Sequence, residues 1–199
     1  VKESNPDVAP LAATWGSTHY GALNEVYWPY FWGAGASIVD DDGNLTIDTD
    51  AGLEATQFLK DMKDEGLLPD TTTSVDDALE PFKNGEAAMT VVASSNLARV
   101  DGINWDFSIL SGPEDTKTFV ASDSLVLFNK CKNKDLAAKL MKYVTSKDVM
   151  ADFHERVSEQ PPITADDTYS GDERFEDLFT NQTDKFQSLP VFKGASSMY

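Results

Sequence analysis

The chain has 199 residues, enough for one sizeable core or two small ones. Sixteen Lys and Arg stand against 34 Asp and Glu, a formal net charge of -18 that repels nucleic acid and anionic membrane surfaces. The single cysteine, Cys131, excludes an internal disulfide and a cysteine-built zinc site, and no apolar run reaches the roughly 20 residues that span a bilayer.

The chain opens at Val1 with a polar, proline-containing run over 1–10 that carries no secretory signal. Such a start is what a processed or excised piece would show. The apolar run at 11–14 predicts a buried strand, and 15–18 a polar turn. Over 19–32, Tyr20, Leu23, Tyr27, Trp28 and Phe31 fall at helical spacing, with Pro29 expected to kink or interrupt the helix, and Tyr27, Trp28, Phe31 and Trp32 are read as core. Asp40, Asp41, Asp42, Gly43 and Asn44 then suit a hairpin turn between short strands at 37–39 and 45–47.

A helix is predicted over 50–65, capped by Asp48 or Asp50 and closed by Gly66, with Ala55, Phe58, Leu59 and Met62 on one face. Ser74 caps the next, which carries Val75, Ala78, Leu79 and Phe82 and ends at Gly85; Pro81 should distort its last turn. Buried or alternating strands are expected at 87–92, 105–110 and within 118–128. Two further helices follow, over 135–144 and from a Ser146 cap to Pro161. Segment 164–188 is acidic, with Phe175, Leu178, Phe179 and Phe186 as its apolar residues. It reads either as an amphipathic helix or as a segment whose packing partner is absent. Strands alternating with helices make the fold class α/β.

The most informative stretch is 82–96, which joins a helix end through a strand to the polar loop Ser94, Ser95, Asn96. A loop at the end of such a strand is where an α/β domain meets a ligand.

The order of markers along 11–199 resembles the carbohydrate-type solute-binding proteins of bacterial ABC transporters. These markers are Trp28 and Pro29 followed by Gly33 and Gly35; the turn Asp42, Gly43, Asn44; Glu65, Gly66, Leu67, Leu68, Pro69; Phe82, Asn84, Gly85, Ala87, Ala88, Met89; and Lys134, Ala137, Ala138 and Val144 leading to Thr145 and Ser146. The resemblance implies a periplasmic-binding-protein-like lobe with a central mixed sheet flanked by helices. It also implies non-catalytic capture of a sugar or oligosaccharide, delivery to an ABC permease, an extracytoplasmic location as a periplasmic protein or surface lipoprotein, and no cofactor. Family members close two lobes around the ligand, and this chain resembles mostly the second. On that basis 1–163 is expected to be the second-lobe domain, 164–188 a segment crossing to the first lobe, and 189–199 the return. The exposed interlobe face would then allow self-association.

Sugars present apolar C–H faces and a rim of hydroxyls, so their sites need aromatic platforms beside short polar side chains and carboxylates. The candidates are Trp15, His19 and Tyr20 at the first turn, Ser94, Ser95 and Asn96 at the second, Ser122 and Asp123 at a third polar cluster, and Tyr199 by family position. Ser94 and Ser95 have a plainer reading as helix caps, and Asp123 as an ordinary strand-end residue. His154 and Cys131 are read as structural bystanders.

Two other classes were weighed against capture. A glycoside-acting enzyme needs paired carboxylates or an activated nucleophile, yet the chain has only two histidines and no G-x-S-x-G or Walker sequence. A surface protein-interaction module would bind another protein through the cleft face. Asp166, Thr168, Ser170, Gly171 and Asp177 only loosely follow a calcium loop, with Thr and Ser as poor ligands and Asp in place of the closing Glu, so no metal is expected.

Overall fold

The computed structural model describes residues 1–14, 23–68, 74–110, 112–121, 124–153, 156, 173–192 and 195. The chain divides into two compact units, one formed by Val1–Val120 with Lys185–Tyr199 and the other by Ala121–Asp184. The expected domain boundary after residue 163 lies outside the described residues.

In the first unit, β1 (Ala9–Ala12) pairs in parallel with β2 (Ala87–Thr90), with Leu11 opposite Met89 and Ala12 opposite Thr90. The expected central sheet takes the form, among the described residues, of this pair and a second parallel pair, β3 (Thr118–Phe119) with β4 (Phe186–Gln187). The run at 87–92 is shorter and less buried than its composition predicts: only Ala87 is buried, and Met89 is 53% exposed, because β2 has only β1 beside it among these residues.

The aromatic segment is a five-residue π-helical turn, Leu23–Tyr27, that leads into α1 (Trp28–Gly33). Pro29 does not break it. It stands in the first turn of α1, where its missing N–H has no intrahelical partner to lose. This short helix lies between two apolar clusters. Trp28, Phe31 and Trp32 pack with Ile38 and Ala55, and Phe119, Leu189 and Phe192 close against them. Tyr30 turns to Ala13, Val26 and Leu59. Trp28 meets Phe31 edge to face, with ring centroids 5.3 Å apart at 83°. The core reading of these aromatics is therefore what the packing shows.

The hairpin is reduced to one antiparallel bridge, Val39 to Leu45, but its turn is well made. Asp40 Oδ1 accepts from the backbone N–H groups of Asp42 and Asn44, and Gly43 takes φ 81°, a left-handed conformation open to glycine. These hydrogen bonds hold the Asp40 carboxyl below its usual pKa, the Asn44 side chain contributing most.

Helix α2 (Asp50–Asp64) starts one residue away from either predicted cap: Thr49 is the N-cap, and its hydroxyl accepts from Gly52 N–H. Helix α3 (Val75–Lys83) has the expected Ser74 cap in a reciprocal capping box with Asp77, and it runs through Pro81. The Thr90 hydroxyl donates to the Ala78 carbonyl and ties β2 to this helix. The stretch 105–110 forms no strand.

The second unit contains α4 (Lys134–Val144), α5 (Lys147–Phe153) and α6 (Glu176–Asn181), the last preceded by a short 3-10 turn, Glu173–Phe175. Phe175 and Leu178 are buried. Helices α4 and α5 contain no buried residue. Among the described residues of the expected strand region 118–128, Thr118–Phe119 is a strand, whereas 124–128 is exposed and has no assigned strand.

Candidate functional site

Because β1 and β2 run in parallel, their carboxyl ends share one edge. Ala12 pairs with Thr90, and Val91 N–H donates to the Ala12 carbonyl at 3.0 Å, which extends the alignment past both strands. Ala13 and Thr14 leave β1 at this edge, and the chain from β2 reaches Ser94 four residues after Thr90. The edge is the sort of strand-end crevice where open α/β sheets bind ligands.

The polar loop after β2 is a 3-10 helix, Ser94–Arg99. Its N-cap is Ala93, with no side-chain cap bond, so the plainer reading of Ser94 as a cap does not hold. Ser94 is exposed and Asn96 half-buried; the Ser95 side chain lies outside the described residues. Arg99 positions Asn96 by donating from Nη1 to its Oδ1 at 3.2 Å, and its Nη2 also pairs with the Asp76 carboxylate at the start of α3. With its oxygen so engaged, Asn96 presents its amide N–H₂. Sequence reasoning missed Arg99; its signal was the i, i+3 spacing from Asn96 in a helical turn.

Trp15, His19, Tyr20, Ser122, Asp123 and Tyr199 lie outside the described residues. Two neighbours of the first turn carry a signal of their own. The Thr14 hydroxyl and the Asn24 Oδ1 are buried and make no hydrogen bond among the described residues, and in sequence they flank 15–22 on both sides. Buried polar atoms of this kind cost about 1–3 kcal/mol each. Burial also pushes the Glu25 carboxyl above its usual pKa.

A cavity of about 480 Å³ lies elsewhere in the first unit, lined by Trp32, Ser37, Asp41, Asp115, Lys117 and Gln187 among others. Of the described candidates, neither Ser94 nor Asn96 lines it. Of its charged groups, Asp115 accepts from Lys117 at 3.0 Å and from Lys185, outside the lining, at 3.1 Å. Its size alone therefore does not displace the strand-end edge as the candidate site.

Residues 9–172 match a family profile described as bacterial extracellular solute-binding protein. Binding proteins of Brucella abortus (strain 2308) and Brucella suis biovar 1 (strain 1330) are 30% identical to this chain over 166 residues, or 76% of its length. The chain spans 40% of the length of these curated relatives. Among solved structures, the sugar-binding protein MalE of Xanthomonas citri superposes with a TM-score of 0.72 at 19% identity, covering 100% of this chain and 52% of that one. The GacH receptor of Streptomyces glaucescens, solved unliganded and with acarbose, gives 0.70 at 19% identity, with 100% and 52% coverage. The maltose/maltodextrin-binding domain MalE of Bdellovibrio bacteriovorus, bound to maltotriose, gives 0.67 at 18% identity, with 99% and 54% coverage. These likenesses show the α/β, periplasmic-binding-protein-like fold.

Proposed function

The chain belongs to the bacterial extracellular solute-binding protein family, and from that premise we propose that it supplies one wall of a site for a sugar or oligosaccharide, captured without chemistry. The observation that carries this reading is the shared carboxyl edge of β1 and β2, from which Ala13 and Thr14 on one side and the loop Ser94–Asn96 on the other both leave. In this reading Trp15 and Tyr20 offer aromatic platforms to the sugar C–H faces. His19, Ser94, Ser95, Asn96, Ser122, Asp123 and Tyr199 meet the hydroxyl rim. The Asn96 N–H₂, aimed by Arg99, donates to a sugar oxygen. The full-length protein closes a second wall over the ligand and delivers it to an ABC permease at the cell surface or in the periplasm, whether free or lipid-anchored. Binding proteins whose solved structures hold acarbose and maltotriose share the fold and support a carbohydrate as the ligand class.

One wall gives weak binding, because closure contributes half of the contacts. Titration of the isotope-labelled chain with glucose, maltose, maltotriose and a polyol, followed by NMR, tests this. The expected result is a dissociation constant on the order of 1 mM, with the largest shifts at residues 94–96. Micromolar binding by this chain alone would overturn the one-wall reading. The absence of any shift at 94–96 with every compound would overturn the sugar reading, and turnover of a glycoside would replace it with an enzyme.

A further inference from the structure

Among the described residues, Thr14 is the one polar residue that is buried, 5% exposed, and its hydroxyl makes no hydrogen bond there. It stands two residues beyond β1, on the edge that this strand shares with β2. Ala13 beside it packs with Val26, Tyr30 and Leu59, and Val91 closes against the same cluster. Val26 belongs to the π-helical turn Leu23–Tyr27, so the turn that carries Asn24 backs onto the end of β1. Asn24 Oδ1 is likewise buried and unpartnered among those residues, whereas the third such atom, Trp28 Nε1, belongs to the separate aromatic cluster of α1. Single π-helical turns recur at functional sites, and a buried polar atom left unpaired costs stability until something pairs with it. We propose that Thr14 and Asn24 are further ligand contacts of the β1–β2 edge, selecting a ligand group that donates to Asn24 Oδ1 while pairing with the Thr14 hydroxyl.

This assignment rests on the proposed capture of a sugar and sharpens what the edge demands of one. A threonine hydroxyl both donates and accepts, and an amide oxygen only accepts. In a sugar the matching group is a ring hydroxyl, which gives its proton to Asn24 and accepts the proton of Thr14. A carboxylate or a fully ionised phosphate has no proton for Asn24, and the overall -18 also opposes an anion. A deoxy or O-methyl position would leave Asn24 Oδ1 buried and unpaired, and sites built around a hydroxyl reject analogues that lack it far more strongly than apolar pockets reject a methylene.

Thr14→Val exchanges the hydroxyl for a methyl of the same shape, and Asn24→Leu exchanges the amide for an apolar side chain of similar size. Urea unfolding and NMR titration with maltotriose, run on the parent chain and both variants, test the proposal. The expected result is a pair of opposite effects. Each variant keeps or raises the urea midpoint, because an unpartnered buried polar group is gone, yet binds maltotriose at least about fivefold more weakly. Thr14→Ser, which keeps the hydroxyl, holds its affinity within about twofold of the parent. A lower midpoint in Thr14→Val would overturn the proposal, since it would give the hydroxyl a partner within the chain or in a buried water. Unchanged maltotriose binding in both variants would also overturn it, while leaving the sugar reading in place. If the parent itself shows no shift with any sugar, the two readings fall together.

Discussion

Gly33 and Gly112 meet backbone against backbone, so closely that a Cβ added to Gly112 would lie 2.2 Å from the Gly33 carbonyl carbon. The Gly33 carbonyl, at the end of α1, accepts from the N–H groups of Glu114 and Asp115 at 2.9 and 3.0 Å, and Gly112 N–H returns a bond to the Asp115 carbonyl at 2.9 Å. The aromatic helix is thereby pinned to the loop that leads into β3.

Gly112→Ala is therefore expected to force the two backbones apart. A loss of about 1–3 kcal/mol or more is expected from overpacking against atoms that have no rotamer to yield. The urea midpoint, followed by the fluorescence of the buried Trp28 and Trp32, measures it. A midpoint within error of the parent would show that this contact is not tight in solution.

Asp115 titrates far below the usual carboxylate range, first because the Thr116 N–H donates to it and then because Lys117 and Lys185 do. A folded pKa below the unfolded value means that its contribution is present above about pH 4, where the unfolded group is ionised, and is lost as pH falls further. The stability difference between the parent and Asp115→Asn should be largest near neutral pH and should shrink below about pH 4. Denaturant midpoints at several pH values give the profile. A difference that grows on acidification would contradict the assignment. Because the carboxylate is accessible to solvent, high salt should also reduce the difference.

Ser74→Ala removes one half of the capping box at the start of α3 and leaves the Asp77 backbone N–H without its hydroxyl acceptor. About 1 kcal/mol is expected, read from thermal unfolding, with Ser74→Asp retaining most of the stability.

At the candidate site, Arg99→Met should leave Asn96 in place in the sequence but untethered. Under the proposed function, maltotriose shifts at 94–96 should diminish several-fold in Arg99→Met and vanish in Asn96→Ala, while the midpoint of unfolding moves little, since the Arg99 ion pair is exposed. An unchanged titration in both variants would remove Asn96 from the site.

Much of this arrangement was legible in the residues. The spacing of Tyr27, Trp28 and Phe31 gave the core face of the aromatic helix, and Ser74 with Asp77 three residues on gave the α3 start, because local geometry decides both. Thr49 was overlooked as the α2 cap because two aspartates flank it and any of the three can accept from a helical N–H. Within 118–128 one strand of the expected one or two formed, at 118–119, whereas 105–110 failed for a different reason. Composition can say that a segment fits a pleated surface, but pairing depends on which other chain segment lies alongside, and that is a non-local fact. The Gly33–Gly112 approach was half visible: Gly33 stood among the family markers, whereas nothing in the sequence around Gly112 names its partner. The first-turn site residues share a single physical argument, the need of a sugar for aromatic and hydroxyl neighbours, and that argument selects residue types without fixing their positions.

The two ends of the second unit are anchored in one place. The chain departs after β3 and returns at Lys185, directly before β4, and β3 and β4 are hydrogen-bonded neighbours whose register places Val120 N–H on the Gln187 carbonyl. In evolutionary and engineering terms, 121–184 behaves as a cassette: a linker of a few residues, enough to run back roughly 10 Å along the strand, would join Val120 to Lys185 while leaving both halves of the parallel pair in place. The first unit could then be produced on its own, and a sugar titration of it would report what the β1–β2 edge contributes without Ser122 and Asp123.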